Sequence, residues 1–118
     1  MILENKITLV TGASRGIGQA IALKLGQQGA VVIGTATTES GAHTINQYLE
    51  KAGIKGAGLA LNVNDTEQIN NTIQIIREKF GEIEILVNNA GITRDNLLVR
   101  MKDEEWDEVI ETDLKSVF

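Results

Sequence analysis

The segment Thr11-Gly12-Ala13-Ser14-Arg15-Gly16-Ile17-Gly18 has the residue types and spacing of a turn that holds a phosphate. It follows the apolar, strand-like run 7–10 and opens a helical pattern over 16–28. Glycines in this setting let backbone N–H groups approach an anion closely, and the N-terminus of the helix favours negative charge. The spacing Gly12-x-x-x-Gly16-x-Gly18 differs from the common G-x-G-x-x-G dinucleotide fingerprint, but the physical roles carry over. Gly12 allows the tight turn, Gly16 the close approach, and Gly18 the packing of helix on strand. A second segment, Asn88-Asn89-Ala90-Gly91, ends another apolar run at 83–87. Each motif alone also fits a plain structural turn. In this order, each at the end of a strand, the two point to a dinucleotide.

Further polar residues fall at strand ends. The run 30–35 ends at Thr35-Ala36-Thr37-Thr38, with no acid at these positions to bind a ribose 2′-hydroxyl, although Glu39 lies just beyond. Arg15 is placed to meet a 2′-phosphate, with Ser14 and Thr37 as hydrogen-bond donors, which favours NADPH over NADH. The alternative is that Arg15 is a solvated loop residue. Asn62-Val63 offers an amide to an adenine edge and a methyl surface to its ring, or else only a turn-forming asparagine. Asn89 and Gly91 fall where open α/β sheets bind ligands, with Gly91 admitting the nicotinamide ribose. Alternatively, Asn88-Asn89 merely terminates the strand. The acids of 103–118 (Asp103, Glu104, Glu105, Asp107, Glu108, Glu111 and Asp113) read as a solvated helix face rather than as paired carboxylates for acid–base or metal chemistry. His43 has no evident partner, and Tyr48 reads as a partly buried helix residue.

The elements that position these residues alternate. Apolar runs at 7–10, 30–35, 58–63 and 83–87 are separated by helical patterns at 16–28, 41–52 and after Asp65. Ile17, Ile21 and Leu25 form the stripe of the first helix, and Ile45, Leu49 and Ala52 that of the second. Ile69, Ile73, Ile76 and Phe80 form the buried stripe of the third, capped by Asp65 with Gln68. Gly29, Gly53 and Gly81 close the three helices. A last helix is expected over 103–118, capped by Asp103 and carrying Trp106, Val109, Ile110 and Leu114. This order predicts a Rossmann-type, doubly wound parallel sheet with helices on both faces. The 118 residues make one domain, 1–118, in which the expected C-terminal half of the fold is absent and the edge of the fourth strand is left exposed.

Composition narrows the classes. At 42% apolar the chain can build a core, and a net charge of −5 argues against a nucleic-acid surface. No apolar run is long enough to span a bilayer, so no membrane partner is expected. The chain has no cysteine, which removes disulfide and thiol chemistry and is compatible with a cytoplasmic location.

T-G-A-S-R-G-I-G and N-N-A-G at this separation resemble the short-chain dehydrogenase/reductases, over the whole chain from Lys6 onward. Within that family, Gly34-Thr35-Ala36-Thr37, Leu61-Asn62-Val63, Ile92-Thr93-Arg94-Asp95-Asn96-Leu97-Leu98 and Met101-Lys102-Asp103-Glu104-Glu105-Trp106 are similar to the bacterial branch that reduces 3-oxoacyl groups on acyl carrier protein. The resemblance implies hydride transfer from NADPH to the 3-keto carbon of an acyl thioester in fatty-acid synthesis. It implies that Gly12, Ala13, Ser14, Arg15, Ile17 and Gly18 surround the phosphates, with Thr37 near the adenosine phosphate. It further puts Asn62 and Val63 at adenine, and Asn89 at the nicotinamide side. It implies an acidic carrier-protein partner, for which Arg94, Arg100 and Lys102 are candidate contacts, and a homotetramer.

Two departures from the family pattern stand out. The family's proton donor is a tyrosine followed four positions later by lysine, with a serine upstream, whereas Tyr48 is followed at that spacing by Ala52. The serine, tyrosine and lysine are therefore expected beyond Phe118, in a protein about twice this length, and the 118 residues alone are expected to be inactive. Asp113 stands where the family usually has an asparagine that holds a relay water, and an ionised aspartate is a pure acceptor. Other short-chain dehydrogenases, such as an acetoacetyl-CoA reductase or a sugar or steroid alcohol dehydrogenase, are alternative readings. So are a non-catalytic dinucleotide-binding module and a fragment that does not fold alone.

Overall fold

The computed structural model describes residues 3–62 and 64–89 in full, together with the backbone of 96–101 and 108–113. The elements run β1 (Ile7–Val10), α1 (Gly16–Gln27), β2 (Val31–Ala36), α2 (Glu39–Lys51), β3 (Gly56–Ala60), α3 (Thr66–Lys79), β4 (Ile85–Asn88), β5 (Asn96–Met101) and β6 (Glu108–Asp113). They form one sheet in the order β3-β2-β1-β4-β5-β6. β3, β2, β1 and β4 are parallel. The order reverses at β1, which has β2 on one side and β4 on the other, so the loop after β1 opens at the switch point of the sheet.

The two central strands, β1 and β2, bury side chains on both faces, as a helix-covered sheet requires. Val10, Val32 and Val87 pack with Ile21, Ala22, Ile45 and Leu49 on the side of α1 and α2. Ile7, Leu9, Val31 and Ile33 pack against Ile76 of α3 on the other side. The alternation of Val31 and Ile33 with Val32 is the two-residue period of a strand.

Helix ends follow local chemistry. Thr38 caps α2, its hydroxyl accepting from Gly41 N at 3.0 Å, and Asp65 caps α3, accepting from Gln68 N at 3.1 Å. The Gln68 side chain accepts from Asn62 N at 2.9 Å rather than from the cap residue itself, so it ties α3 back to the end of β3. Gly29, Gly53 and Gly81 have positive φ and follow the three helices as expected. β3 is an edge strand, and there the Asn46 side chain of α2 bonds both backbone groups of Gly58. Its Oδ1 accepts from Gly58 N at 2.9 Å and its Nδ2 donates to Gly58 O at 3.3 Å.

Four sequence expectations need correction. First, the helix expected over 103–118 is not the state of its centre, because Glu108–Asp113 is strand β6, antiparallel to β5. Val109, Ile110 and Thr112 are β-branched and fit a pleated surface as readily as a helix, and so short a stretch carries no decisive period. Second, the edge of β4 is covered by β5, which pairs from Ile85↔Met101 to Asn88↔Leu98 and satisfies backbone groups expected to be bare. Third, Ile17 is 40% exposed, because it sits in the first turn of α1 beyond the rim of the sheet, and Ala52, at the C-cap of α2, is exposed too. Fourth, α3 buries Thr72 and Ile76, while Ile69, Ile73 and Phe80 are only half-buried.

Candidate functional site

The loop between β1 and α1 is held mainly by residues far away in sequence. Thr11 N donates to Val87 O at 3.0 Å, and the Thr11 hydroxyl reaches Asn88 Oδ1 at 3.2 Å. Gly12 turns the chain at φ +61°, where a side chain would be strained. Its carbonyl accepts from Asn89 Nδ2 at 3.0 Å. Ala13 is fully buried, and Ala13 N donates to Thr35 O at 2.8 Å. The Ala13 carbonyl accepts from the Tyr48 hydroxyl at 2.7 Å. Burial of Tyr48 pushes its pKa up to about 12, so the hydroxyl keeps its proton and remains a donor.

The two motif segments therefore meet. A Cβ on Gly18 would collide with the Gly12 carbonyl and lie 2.6 Å from Asn89 Nδ2, so the turn, the helix and the end of β4 share one close approach that only glycine permits. Asn89 Oδ1 is buried and has no hydrogen-bond partner among the described residues. An orphaned acceptor at a strand end, beside a helix opening, is the kind of group a ligand donor satisfies.

The opening of α1 differs from those of its neighbours. Arg15 is its N-cap residue, extended, with no side-chain cap bond, and the first turn holds no acid. The first N–H groups of a helix have no partner inside it. Gly16, at φ +59°, has nothing within 4 Å of the position a Cβ would take, so the space beside these donors is open. Unpartnered helix donors and open room fit a dinucleotide pyrophosphate, whereas the orphaned carboxamide oxygen fits a donor such as a ribose hydroxyl.

A second part of the site lies at the ends of β2 and β3. A cavity of about 420 Å³ is lined by Thr37, Glu39, Asn62, Gln68, Asn71 and Thr72. It unites Thr37 and Asn62, which the sequence had marked separately. Ala60 and Leu61 complete its walls, so it pairs apolar surface with polar groups, which suits an adenosine moiety whose ring packs while its edge and ribose need hydrogen bonds.

The structure thus joins Gly12, Ala13, Gly18 and Asn89 at one turn, and Thr37 and Asn62 at one cavity. Ser14 is half-buried beside the turn, while Arg15 and Ile17 are exposed at its rim. Val63 and Gly91 lie outside the described residues, as do Arg94 and Lys102. Asp113 is at the end of β6, its backbone paired with Asn96. His43 is exposed on α2. Among the described residues no cluster of His, Cys, Asp or Glu is placed to hold a metal, and no helix is long and apolar enough to cross a membrane.

Sequence reasoning missed the roles of Tyr48 and Gln68 and the cavity wall formed by Asn71 and Thr72. Tyr48 did carry a signal. It follows Ile45 by three positions and adjoins Leu49, so it shares the inward face of α2, and a phenol turned inward must find an acceptor. The identity of that acceptor, 35 residues earlier, was not readable from spacing.

The short chain dehydrogenase family matches residues 6–118. The chain is 63% identical over all its 118 residues to the 3-oxoacyl-[acyl-carrier-protein] reductase FabG of Escherichia coli K12. It is 59% identical to the protein of the same name from Vibrio cholerae and 58% identical to that from Pseudomonas aeruginosa, again over its whole length. The matched region makes up 47% of the Escherichia coli and Vibrio proteins and 48% of the Pseudomonas protein, so the chain spans about half the length of these curated relatives.

Proposed function

The chain belongs to the short chain dehydrogenase family, and from that premise we propose that it is the cofactor-binding half of an NADPH-dependent reductase of 3-oxoacyl groups on acyl carrier protein. The observation that carries this reading is the junction of the two glycine segments, where Asn89 Nδ2 bonds the Gly12 carbonyl across 77 residues beside an uncapped helix. When bound, NADPH supplies the hydride for the 3-keto carbon.

The residues of this chain bind and orient. In this reading, Gly12, Ala13, Ser14, Ile17 and Gly18 surround the pyrophosphate, with Arg15 extending toward the 2′-phosphate. Thr37 donates to the adenosine phosphate, and Asn62 with Val63 holds the adenine. Asn89 and Gly91 lie at the nicotinamide ribose. Tyr48 is not the proton donor, because its hydroxyl is already given to Ala13 O and Ala52 stands where a lysine would be needed to lower its pKa. The catalytic serine, tyrosine and lysine are supplied by sequence outside these 118 residues. Residues 1–118 are part of a single Rossmann-fold domain, and the complete protein is a cytoplasmic homotetramer.

In this reading Asp113 puts an ionised group that only accepts where a neutral amide could both donate and accept in the relay, and Asp113→Asn in the complete protein is expected to raise turnover. An equal or lower kcat removes Asp113 from the relay.

One observation favours a second reading of the cofactor. Glu39 lines the cavity beside Thr37, and a carboxylate there suits the two ribose hydroxyls of NADH better than a 2′-phosphate. Titration of the complete protein with both dinucleotides decides between the readings. Tighter NADPH binding and reduction of an acetoacetyl thioester support the proposal. Tighter NADH binding overturns the choice of cofactor, and binding without turnover makes the protein a dinucleotide-binding module.

A further inference from the structure

Ala13 is fixed at both of its backbone groups, though by different parts of the fold. Its N–H is held by β2 through Thr35 O at 2.8 Å, and its carbonyl is held by α2 through the Tyr48 hydroxyl at 2.7 Å. The second bond decides a direction. In a planar trans peptide the C=O of one residue and the N–H of the next point opposite ways. A carbonyl at Ala13 drawn toward Tyr48 therefore turns the Ser14 N–H away from α2. If the 13–14 peptide rotated, it would turn a carbonyl toward any anion at the turn and withdraw a donor.

We propose that Tyr48 is a positioning residue for the dinucleotide, its hydroxyl holding the Ala13 carbonyl inward so that the Ser14 N–H is presented to the pyrophosphate. This rests on the cofactor reading given above. Tyr48 is itself held on a firm support. Its neighbours Ile45 and Leu49 are buried against the sheet, Thr38 caps the start of the helix, and Asn46 clasps β3. Thus α2, which contributes none of the expected phosphate contacts, sets the aim of a loop that does.

The test is Tyr48→Phe in the complete protein, which removes one oxygen and keeps the ring. The Kd for NADPH is expected to rise about fivefold, the loss of one neutral hydrogen bond. The effect is expected in KM for NADPH rather than in kcat, because the contact serves ground state and transition state alike. Adenosine, which has no phosphate, is expected to bind the variant as it binds the parent. An unchanged Kd for NADPH overturns the proposal. So does an equal loss for both ligands, which would mean a general loosening. In the unmodified protein, NADPH is expected to slow hydrogen exchange of the Ser14 amide, and no slowing overturns the proposal whatever the variant does. If the parent binds no nicotinamide dinucleotide, the cofactor reading fails and this proposal with it. If the parent binds and the variant is unaffected, only this proposal fails.

Discussion

The turn after β1 and the segment after β3 both sit at the carboxyl edge of the sheet, yet they are built in opposite ways. The turn is held by bonds from Val87, Asn89, Thr35 and Tyr48, all remote in sequence. The segment around Asn62 is held by Gln68, six residues on, and by its own side chain accepting from Asn64 N at 3.0 Å. The first exists only when the whole sheet is assembled. The second leans mainly on the start of α3, with a tie to β2 where Leu61 N donates to Ala36 O at 2.7 Å. A turn whose several backbone groups must be aimed gains from global rigidity, whereas a strand-end asparagine tolerates a more local hold.

Substitutions can break or sharpen this contrast. The largest effect is expected for Gly18→Ala, whose methyl group collides with the Gly12 carbonyl. Stability should fall by about 3 kcal/mol in urea denaturation, at the upper end for an overpacked site, and dinucleotide binding should be lost. Retained binding would show that the turn is not rigid. Next, Asn89→Ala removes the donor to Gly12 O and should cost about 2 kcal/mol together with NADPH affinity. Loss of stability without loss of affinity would confine Asn89 to a structural role. A smaller effect is expected from Asp65→Ala, which removes the cap of α3 and should cost about 1 kcal/mol. If Asp65→Ala costs more than Asn89→Ala, the proposed order of the two regions is wrong.

The narrowest effect, confined to one pH window, is in alkali. The folded-state pKa of Tyr48 is raised above its ordinary value of 10.0 to about 12, so the folded chain holds this proton more tightly than the unfolded chain. Its contribution to stability is fully present below pH 10 and is lost as the pH rises through about 12. Tyr48→Phe should therefore flatten the decline in stability across that window, as read by urea denaturation at successive pH values. An unaltered slope would assign the decline to other groups.

What was legible in the sequence follows the same division. Periodicity located β1 at residues 7–10 and placed β2 and β4 within a few residues, because a buried parallel strand is a short apolar run whatever its neighbours are. The Asp65 cap was legible too, since it acts within one turn, whereas the Gln68 side chain turns back to Asn62 N instead of closing the expected capping pair. The glycine pattern located the turn but not its clamps, because Tyr48 and Asn89 reach it only through the folded sheet. The segment 108–113 was misassigned for a related reason. Its β-branched residues suit either state, and the free edge of β4, extended by β5, offered a sheet to join. Thr72 was overlooked as a core residue of α3 because a hydroxyl in a polar stretch does not announce burial.

The Asn46 carboxamide is chemically a peptide group carried on a side chain. Docked on Gly58 N and O, it imitates one residue of a neighbouring strand on the outer side of β3. A bare strand edge is a template on which another chain can add its own backbone. In a crowded solution, a second copy approaching this edge would find its central hydrogen-bonding pair already taken. The same amide that steadies α2 over the sheet thus discourages self-association at the rim of the molecule.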